Sequence, residues 1–181
     1  MSLQNTETPP SIPTGRTFVG YIMRYGFILG ISMSLQFLSI LLYKIGALSA
    51  LLYVGLFFCI PVLIVALARH YRRQVRNDSM TYMEAVGFMM GTFLFAMIPT
   101  ILAYYLGFSR LMSDPVWLET IQTLVDTWIS QSPQASEEEI EALRGMLHMT
   151  PRQLATQFAA TAMFLGMIYI YIAAFFVKKT R

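Results

Sequence analysis

Residues 85–109 read AVGFMMGTFLFAMIPTILAYYLGFS, a run of 25 residues without a single charged side chain. Because an α-helix rises about 1.5 Å per residue, roughly 20 apolar residues cross the hydrocarbon core of a bilayer. Three further uncharged runs occupy residues 25–43, 45–68 and 153–177, and charged residues bound each of them. A water-soluble fold of this length could not bury four such runs, so the sequence predicts an integral membrane protein.

The composition agrees with that interpretation and predicts one membrane domain at residues 18–181. Of the 181 residues, 56% are hydrophobic and only 13% are charged, about half the charged fraction that is usual in soluble domains. The spans are expected at about residues 22–43, 47–68, 82–106 and 154–177. Residues 1–17, rich in Ser, Thr and Pro, are expected to form a disordered cytoplasmic leader. The net charge of +3 gives no reason to expect nucleic acid as a partner.

Between the third and fourth spans, residues 107–150 carry the signals of two helices outside the membrane. Asp114 followed by Pro115 is typical of a helix start, with Asp as the N-cap and Pro at the first position. Apolar residues then recur with helical spacing over residues 117–129. A capping-box pattern at Ser136 opens a second, acidic helix. The expected fold is all-α: an integral membrane four-helix bundle with a helical extracytoplasmic segment between spans 3 and 4.

Basic residues predict the orientation of the chain. Four spans place both termini on one side, where nine of the Lys and Arg residues fall, against four on the other side. Lys and Arg in short loops stay on the cytoplasmic face, so both termini are expected in the cytoplasm. The outer side holds seven acidic residues against its four basic ones and is net acidic by three. It is therefore a poor partner for anionic headgroups.

Two ridges of small residues predict a contact between helices. Gly26 and Gly30 stand four residues apart in the first span, and Gly87 and Gly91 repeat this spacing in the third span. Such ridges let helix backbones approach closely in lipid. We therefore expect the first and third spans to touch at these glycines.

Arg24 precedes the first glycine ridge and Glu84 precedes the second. Contact between the ridges would bring the two side chains close enough to form an ion pair. The alternative is that Arg24 only extends its side chain to the membrane surface and that Glu84 only caps its helix.

The two tryptophans, Trp117 and Trp128, are eleven residues apart and share one helix face. This face either lies in the membrane interface, with its rings at headgroup depth, or packs on the outer ends of the four spans. In both cases the segment is expected to be a lid on the bundle rather than a free domain.

Four arginines, Arg69, Arg72, Arg73 and Arg76, lie in a predicted basic linker after the second span. Arginines near a leaflet can bind anionic lipid headgroups, and they can also bind an acidic cytoplasmic partner. The alternative is that they only enforce the topology.

The sequence predicts no catalytic, cofactor-binding or metal site. No acidic, basic or histidine side chain is expected deep in a span, where proton relays and ion-coupled carriers normally place such groups. His70 and His148 fall on opposite sides of the membrane in this topology and cannot share a metal ion. The motifs of zinc hydrolases, phosphate-binding loops and serine hydrolases are absent from the chain. We therefore expect a protein that is not an enzyme and holds no cofactor.

The layout resembles a family of small bacterial membrane proteins catalogued as domain of unknown function 4199. The resemblance covers about residues 18–179. It rests on Arg24-Tyr-Gly-Phe-Ile-Leu-Gly at the first span, the arginine-rich turn after the second, Ser79-Met-Thr-Tyr-Met-Glu-Ala at the third, and Asp114-Pro115 before the acidic segment. It implies four spans, an outer segment and no assigned activity, and it offers no catalytic residues to transfer.

On these grounds we expect a structural, accessory or complex-subunit role in the bacterial inner membrane. The expected partners are the lipid bilayer and either a membrane protein or a second copy of the chain. The alternative is a component of a transporter or channel that works as a homo-oligomer, because one bundle of this size is too small to enclose a pore.

Overall fold

Six α-helices account for most of the residues that the structure describes. The computed structural model describes residues 15–132, 134 and 136–179. The helices are α1 (Gly15–Leu38), α2 (Ala47–Val75), α3 (Tyr82–Leu111), α4 (Pro115–Gln131), α5 (Glu137–Leu147) and α6 (Pro151–Val177), and a 3-10 helix at Ser39–Ile45 separates the first two. Over these described ranges the chain forms no strand beyond an isolated bridge between Met80 and Lys179. The prediction of an all-α fold is confirmed.

Four of the helices are long and apolar enough to cross a membrane: α1 with its 3-10 extension, α2, α3 and α6. The chain is therefore a multi-pass membrane protein with α4 and α5 between its third and fourth spans. Residues 1–14 of the predicted leader lie outside the described residues. Residues 15–17 of the predicted leader belong to α1 instead.

The helix starts follow the capping signals of the sequence. Thr81 Oγ1 accepts a hydrogen bond from the Glu84 amide at 3.3 Å, and the Glu84 carboxylate accepts one from the Thr81 amide at 2.8 Å. Thr150 and Gln153 form the same reciprocal pair at the start of α6. Asp114 caps α4 by accepting from a backbone amide two residues on. Each cap is worth about 1 kcal/mol, so these residues define where the helices begin.

Helix α3 is the centre of the bundle. It packs against α1 on one side and α6 on the other, and 50% of its most apolar stretch is buried, against 6% for α2. The largest core side chains on α3, Phe88, Met89 and Met97, are almost fully buried, as are Leu29 on α1 and Ile170 on α6. The spans therefore form a three-helix core with α2 at its edge.

Two ends of the bundle are distinguished below. The terminal end carries the start of α1, the end of α2, the start of α3 and the end of α6. It is held together by rings: Tyr71 on α2 stacks on Phe88 of α3 with centroids 4.1 Å apart, and Phe18 on α1 contacts both. The opposite end carries the 3-10 helix and leads into α4 and α5, which pack on each other.

Candidate functional site

The backbones of α1 and α3 approach closely along the glycines of α1. A β-carbon added to Gly26 would lie 2.8 Å from the Thr92 carbonyl oxygen, and one added to Gly30 would lie 2.7 Å from the Ala96 carbonyl oxygen. Real β-carbons keep a greater distance from backbone atoms, so only glycine fits at these two positions. The predicted contact between the first and third spans is confirmed.

The register of this contact differs from the prediction, because the two glycine ridges do not face each other. Gly91 receives the Ile22 side chain, whereas nothing lies within 4 Å of the position where a Gly87 β-carbon would stand. Glycines of one helix accept the larger side chains of the other, which fills space better than two facing grooves. Gly87 is therefore not part of the α1–α3 contact.

This register also separates Arg24 from Glu84. Ile22 contacts Gly91, which stands seven residues beyond Glu84 along α3, a rise of about 10 Å. Glu84 instead pairs with Arg76 and caps α3. The predicted Arg24–Glu84 ion pair is wrong, and the alternative in which Glu84 caps its helix is confirmed. Arg24 is exposed on α1.

The predicted basic linker is helical, because α2 continues to Val75. Arg72 on its last turns is only 8% exposed. Its Nε donates to Asp78 Oδ1 at 2.9 Å, and its Nη1 donates to the Val177 carbonyl oxygen at the end of α6. Arg69 donates to the carbonyl oxygen of Phe176 at 3.2 Å. Two arginines of α2 thus satisfy carbonyl groups that the end of α6 leaves without intrahelical partners.

The turn between α2 and α3 completes this arrangement. Asn77 and Asp78 have φ angles of 48° and 59°, in the left-handed region that Asn and Asp tolerate best after glycine. Asp78 also pairs with Lys179, and the backbones of Lys179 and Met80 exchange two hydrogen bonds of 2.9 Å. We name this set of residues the arginine clasp: Arg69, Arg72, Arg76, Asp78, Glu84 and Lys179.

The arginine clasp joins three chain segments at the terminal end: the end of α2, the start of α3 and the end of α6. Its two carboxylates pair with three of its four basic side chains, and the fourth, Arg69, donates to a backbone carbonyl group. Three of the four arginines predicted to face lipid or an acidic partner therefore have partners within the protein. Arg69 and Arg73 are both exposed, and Arg73 is the one of the four that does not belong to the arginine clasp. The sequence did not distinguish these roles, because it does not show which arginines of a helix face the neighbouring helices and which face away.

The arginine clasp is expected to weaken in acid through Asp78. The hydrogen bond from Lys179, followed by the charges of Lys179 and Arg72, holds the pKa of Asp78 below its ordinary value of 3.8. A lowered folded-state pKa gives stability that is fully present above the unfolded value and is lost as the pH falls through the folded value. The stability difference between the wild type and Asp78→Asn should therefore be constant near neutral pH and shrink below about pH 3.8. Thermal unfolding in detergent at a series of pH values measures it, and a difference independent of pH would contradict the assignment.

Within the described ranges, no three His, Cys, Asp or Glu side chains lie close enough to share a metal ion. Cys59 is an exposed residue of α2. Ion pairs of the described residues lie at both ends of the bundle: those of the arginine clasp at the terminal end, and Lys44 with Asp114 at the opposite end.

A second feature is the uncovered middle of α2. The buried residues of this helix lie near its two ends, at Ser49 and from Ile64 onward. Between them, large side chains point away from the bundle, and Phe58 is 67% exposed. Nothing lies within 4 Å of the position where a Gly55 β-carbon would stand. Sequence reasoning missed this face, although its span is the most apolar of the four, which is the signal that could have indicated it.

The tryptophan face of α4 is not covered by the spans. The helix buries none of its residues, its main packing partner is α5, and Trp128 is 45% exposed. Trp117 is half-buried. The alternative in which this face packs on the outer ends of the spans is therefore wrong for Trp128, and the interpretation as an interface helix remains a prediction.

The arginine clasp and the uncovered middle of α2 both lie within residues 24–179, which a family model described as "Protein of unknown function (DUF4199)" matches. No curated protein and no solved structure matches the chain. The family match assigns no activity, so the function rests on the geometry of the chain itself.

Proposed function

The chain belongs to the DUF4199 family of proteins of unknown function, and we propose that it is an accessory subunit of a membrane-protein complex. In this proposal the uncovered middle of α2 receives a transmembrane helix of the partner protein. The arginine clasp holds α2 to the core at the terminal end, so that the middle of the helix is presented to the partner.

The observation that carries this proposal is the exposure of α2. Only 6% of its most apolar stretch is buried, compared with 22% in α6, 39% in α1 and 50% in α3. Lipid can cover such a face, but lipid contact does not require an uneven surface in which a notch at a glycine lies beside a projecting aromatic ring. Phe58, three residues after Gly55, stands beside the open position on the same side of the helix, and its ring is exposed.

Elsewhere in this bundle, the equivalent notches at glycines are filled by aromatic rings. A β-carbon on Gly107 of α3 would collide with the ring of Phe37, and one on Gly166 of α6 would collide with the ring of Phe93. An aromatic ring set against a glycine is thus a repeated packing device of this protein. Because helices in lipid associate by close packing at small residues, the unfilled notch at Gly55 is suited to a side chain of another helix.

We also propose that the protein resides in the bacterial inner membrane with both termini in the cytoplasm. This orientation is supported by the basic residues, because nine Lys and Arg lie on the side of the termini and four on the other side. A cysteine added at the C-terminus should resist membrane-impermeant reagents in intact cells, and labelling there would contradict the orientation.

Site-specific photo-crosslinking tests the docking face. A photoreactive residue at Phe58 should give one discrete protein adduct in native membranes, and Gly55→Leu should abolish it by filling the notch. The matched control is Phe164 on α6, which is 66% exposed against 67% for Phe58 and should give no protein adduct.

The mass of the adduct distinguishes the proposed role from the alternatives. An adduct with a different protein supports the accessory role, whereas an adduct of twice the chain mass would favour a homo-oligomer, as the transporter alternative requires. Lipid adducts alone at both positions would overturn the docking proposal.

A further inference from the structure

We infer that α4 lies in the surface of the bilayer, with its apolar face inserted at the headgroups of zwitterionic lipid. This inference concerns a different part of the chain from the docking face of α2 and does not depend on it. It selects one of the two positions that the sequence left open for the tryptophan face.

The side chains of α4 divide cleanly around the helix. At about 100° per residue, Trp117, Ile121, Leu124 and Trp128 fall within one narrow arc. The two carboxylates of the helix, Glu119 and Asp126, fall on the opposite side. An apolar arc facing a charged arc is the pattern of helices that lie in a membrane interface, and tryptophan is enriched at headgroup depth.

Helix α5 is the main packing partner of α4. Leu118, Val125 and Ile129 are half-buried on one flank of the arc. Within the arc, Trp117 and Ile121 are half-buried, whereas Leu124 and Trp128 remain exposed. The exposed part of the arc is therefore available to lipid.

The connections hold α4 at the membrane surface. Helix α3 ends at Leu111 and α4 begins at Pro115, and three intervening residues reach at most about 10 Å. The Asp114 carboxylate also forms an ion pair of 2.8 Å with Lys44, beside the link between the first two spans. After α5, the chain re-enters the bundle at Pro151. These connections therefore keep α4 close to the ends of the spans, at the depth where the apolar arc can reach the membrane surface.

Charge selects the kind of lipid. Over α4 and α5 the acidic residues number six and the basic residues one: Glu119, Asp126, Glu137, Glu138, Glu139, Glu141 and Arg144. A surface with this balance is repelled by anionic headgroups, so a zwitterionic surface such as phosphatidylcholine suits it better. This opposes the usual attraction of basic interfacial helices to anionic lipid.

Because both tryptophans of the chain lie on α4, tryptophan fluorescence, excited at a wavelength that tyrosine does not absorb, reports on this helix alone. The experiment uses the full chain with Trp117→Phe, which leaves Trp128, in phosphatidylcholine vesicles. Lipids brominated near the headgroup boundary should quench Trp128 more than lipids brominated near the chain ends, and aqueous acrylamide should quench it weakly. Added phosphatidylglycerol should shift the emission towards that of tryptophan in water.

A pair of neighbouring substitutions provides the matched test. Leu124→Gln places an amide in the apolar arc, whereas Thr123→Gln places the same amide on the flank towards the polar side. The first should increase acrylamide quenching of Trp128 and reduce quenching by brominated lipid, and the second should change neither. Circular dichroism checks that both variants keep their helices.

Two results would overturn the inference. Emission typical of water with full acrylamide quenching would place the apolar arc in solvent. Emission at short wavelength without quenching by either brominated lipid would show that protein, rather than lipid, covers the arc.

Discussion

Gly30→Ala is expected to destabilise the protein, whereas Gly87→Ala is expected to leave its stability unchanged or raise it. Both changes add one methyl group and both improve intrinsic helix propensity, by about 1 kcal/mol. At Gly30 the added β-carbon would stand 2.7 Å from the Ala96 carbonyl oxygen and 3.1 Å from the Ala96 α-carbon. These are backbone atoms of α3, so no side chain can rotate away and the helices must separate.

Overpacking of this kind costs about 1–3 kcal/mol. Separating α1 from α3 also loosens the central contact of the bundle, so the net loss should lie in the upper part of that range. Gly87 lies on α3 itself, but the position where its β-carbon would stand is open. The Gly87→Ala variant is therefore a control for helix propensity. Thermal unfolding in a mild detergent, followed by circular dichroism, measures the difference. Equal midpoints for the two variants would show that α1 and α3 are not in this register.

Arg72→Met is expected to lower stability strongly, while Arg73→Met one residue away is expected to have little effect. The Arg72 side chain donates to Asp78 and to the carbonyl oxygen of Val177 from a buried position. Methionine keeps much of its volume but none of its donors, so the Val177 carbonyl group at the end of α6 loses its partner. Hydrogen bonds to charged groups contribute about 1.5–3 kcal/mol each.

Asp78 is partly exposed and keeps Lys179 as a partner, so the expected cost is about 2–3 kcal/mol rather than the sum of two full bonds. Arg73 is exposed, and substitutions of exposed residues usually change the free energy of unfolding by no more than about 0.5 kcal/mol. Both variants remove one positive charge from the same turn of α2, so any effect on membrane orientation is shared.

Local measurements separate loss of the arginine clasp from general unfolding. The amides of Met80 and Lys179, which hydrogen-bond to each other's carbonyl groups, should exchange with solvent faster in Arg72→Met at a pH where the spans remain folded. Unchanged exchange at these two amides, together with an unchanged midpoint, would show that Arg72 does not hold the end of α6.

Much of the local structure could be predicted from individual residues. The reciprocal caps at Thr81 and Thr150, and Asp114 before Pro115, mark helix starts because their side chains satisfy the first amides of the helix directly. The contact between the first and third spans could also be predicted, because glycines such as Gly26 and Gly30 allow it. The partners of those glycines could not, since the register depends on which large side chains of α3 meet them.

The sequence by itself determined that the chain lies in a membrane, how many spans it has, and that the segment between the third and fourth spans is helical. Hydrocarbon accepts no unpaired backbone groups, so long uncharged runs must become helices whatever surrounds them. Tertiary structure alone decided that Glu84 pairs with Arg76 rather than Arg24, that Arg72 is buried, and that α2 is left uncovered. In a span that is apolar on all sides, hydrophobicity does not distinguish the face that meets protein from the face that meets lipid. Only the fit between neighbouring helices makes that choice.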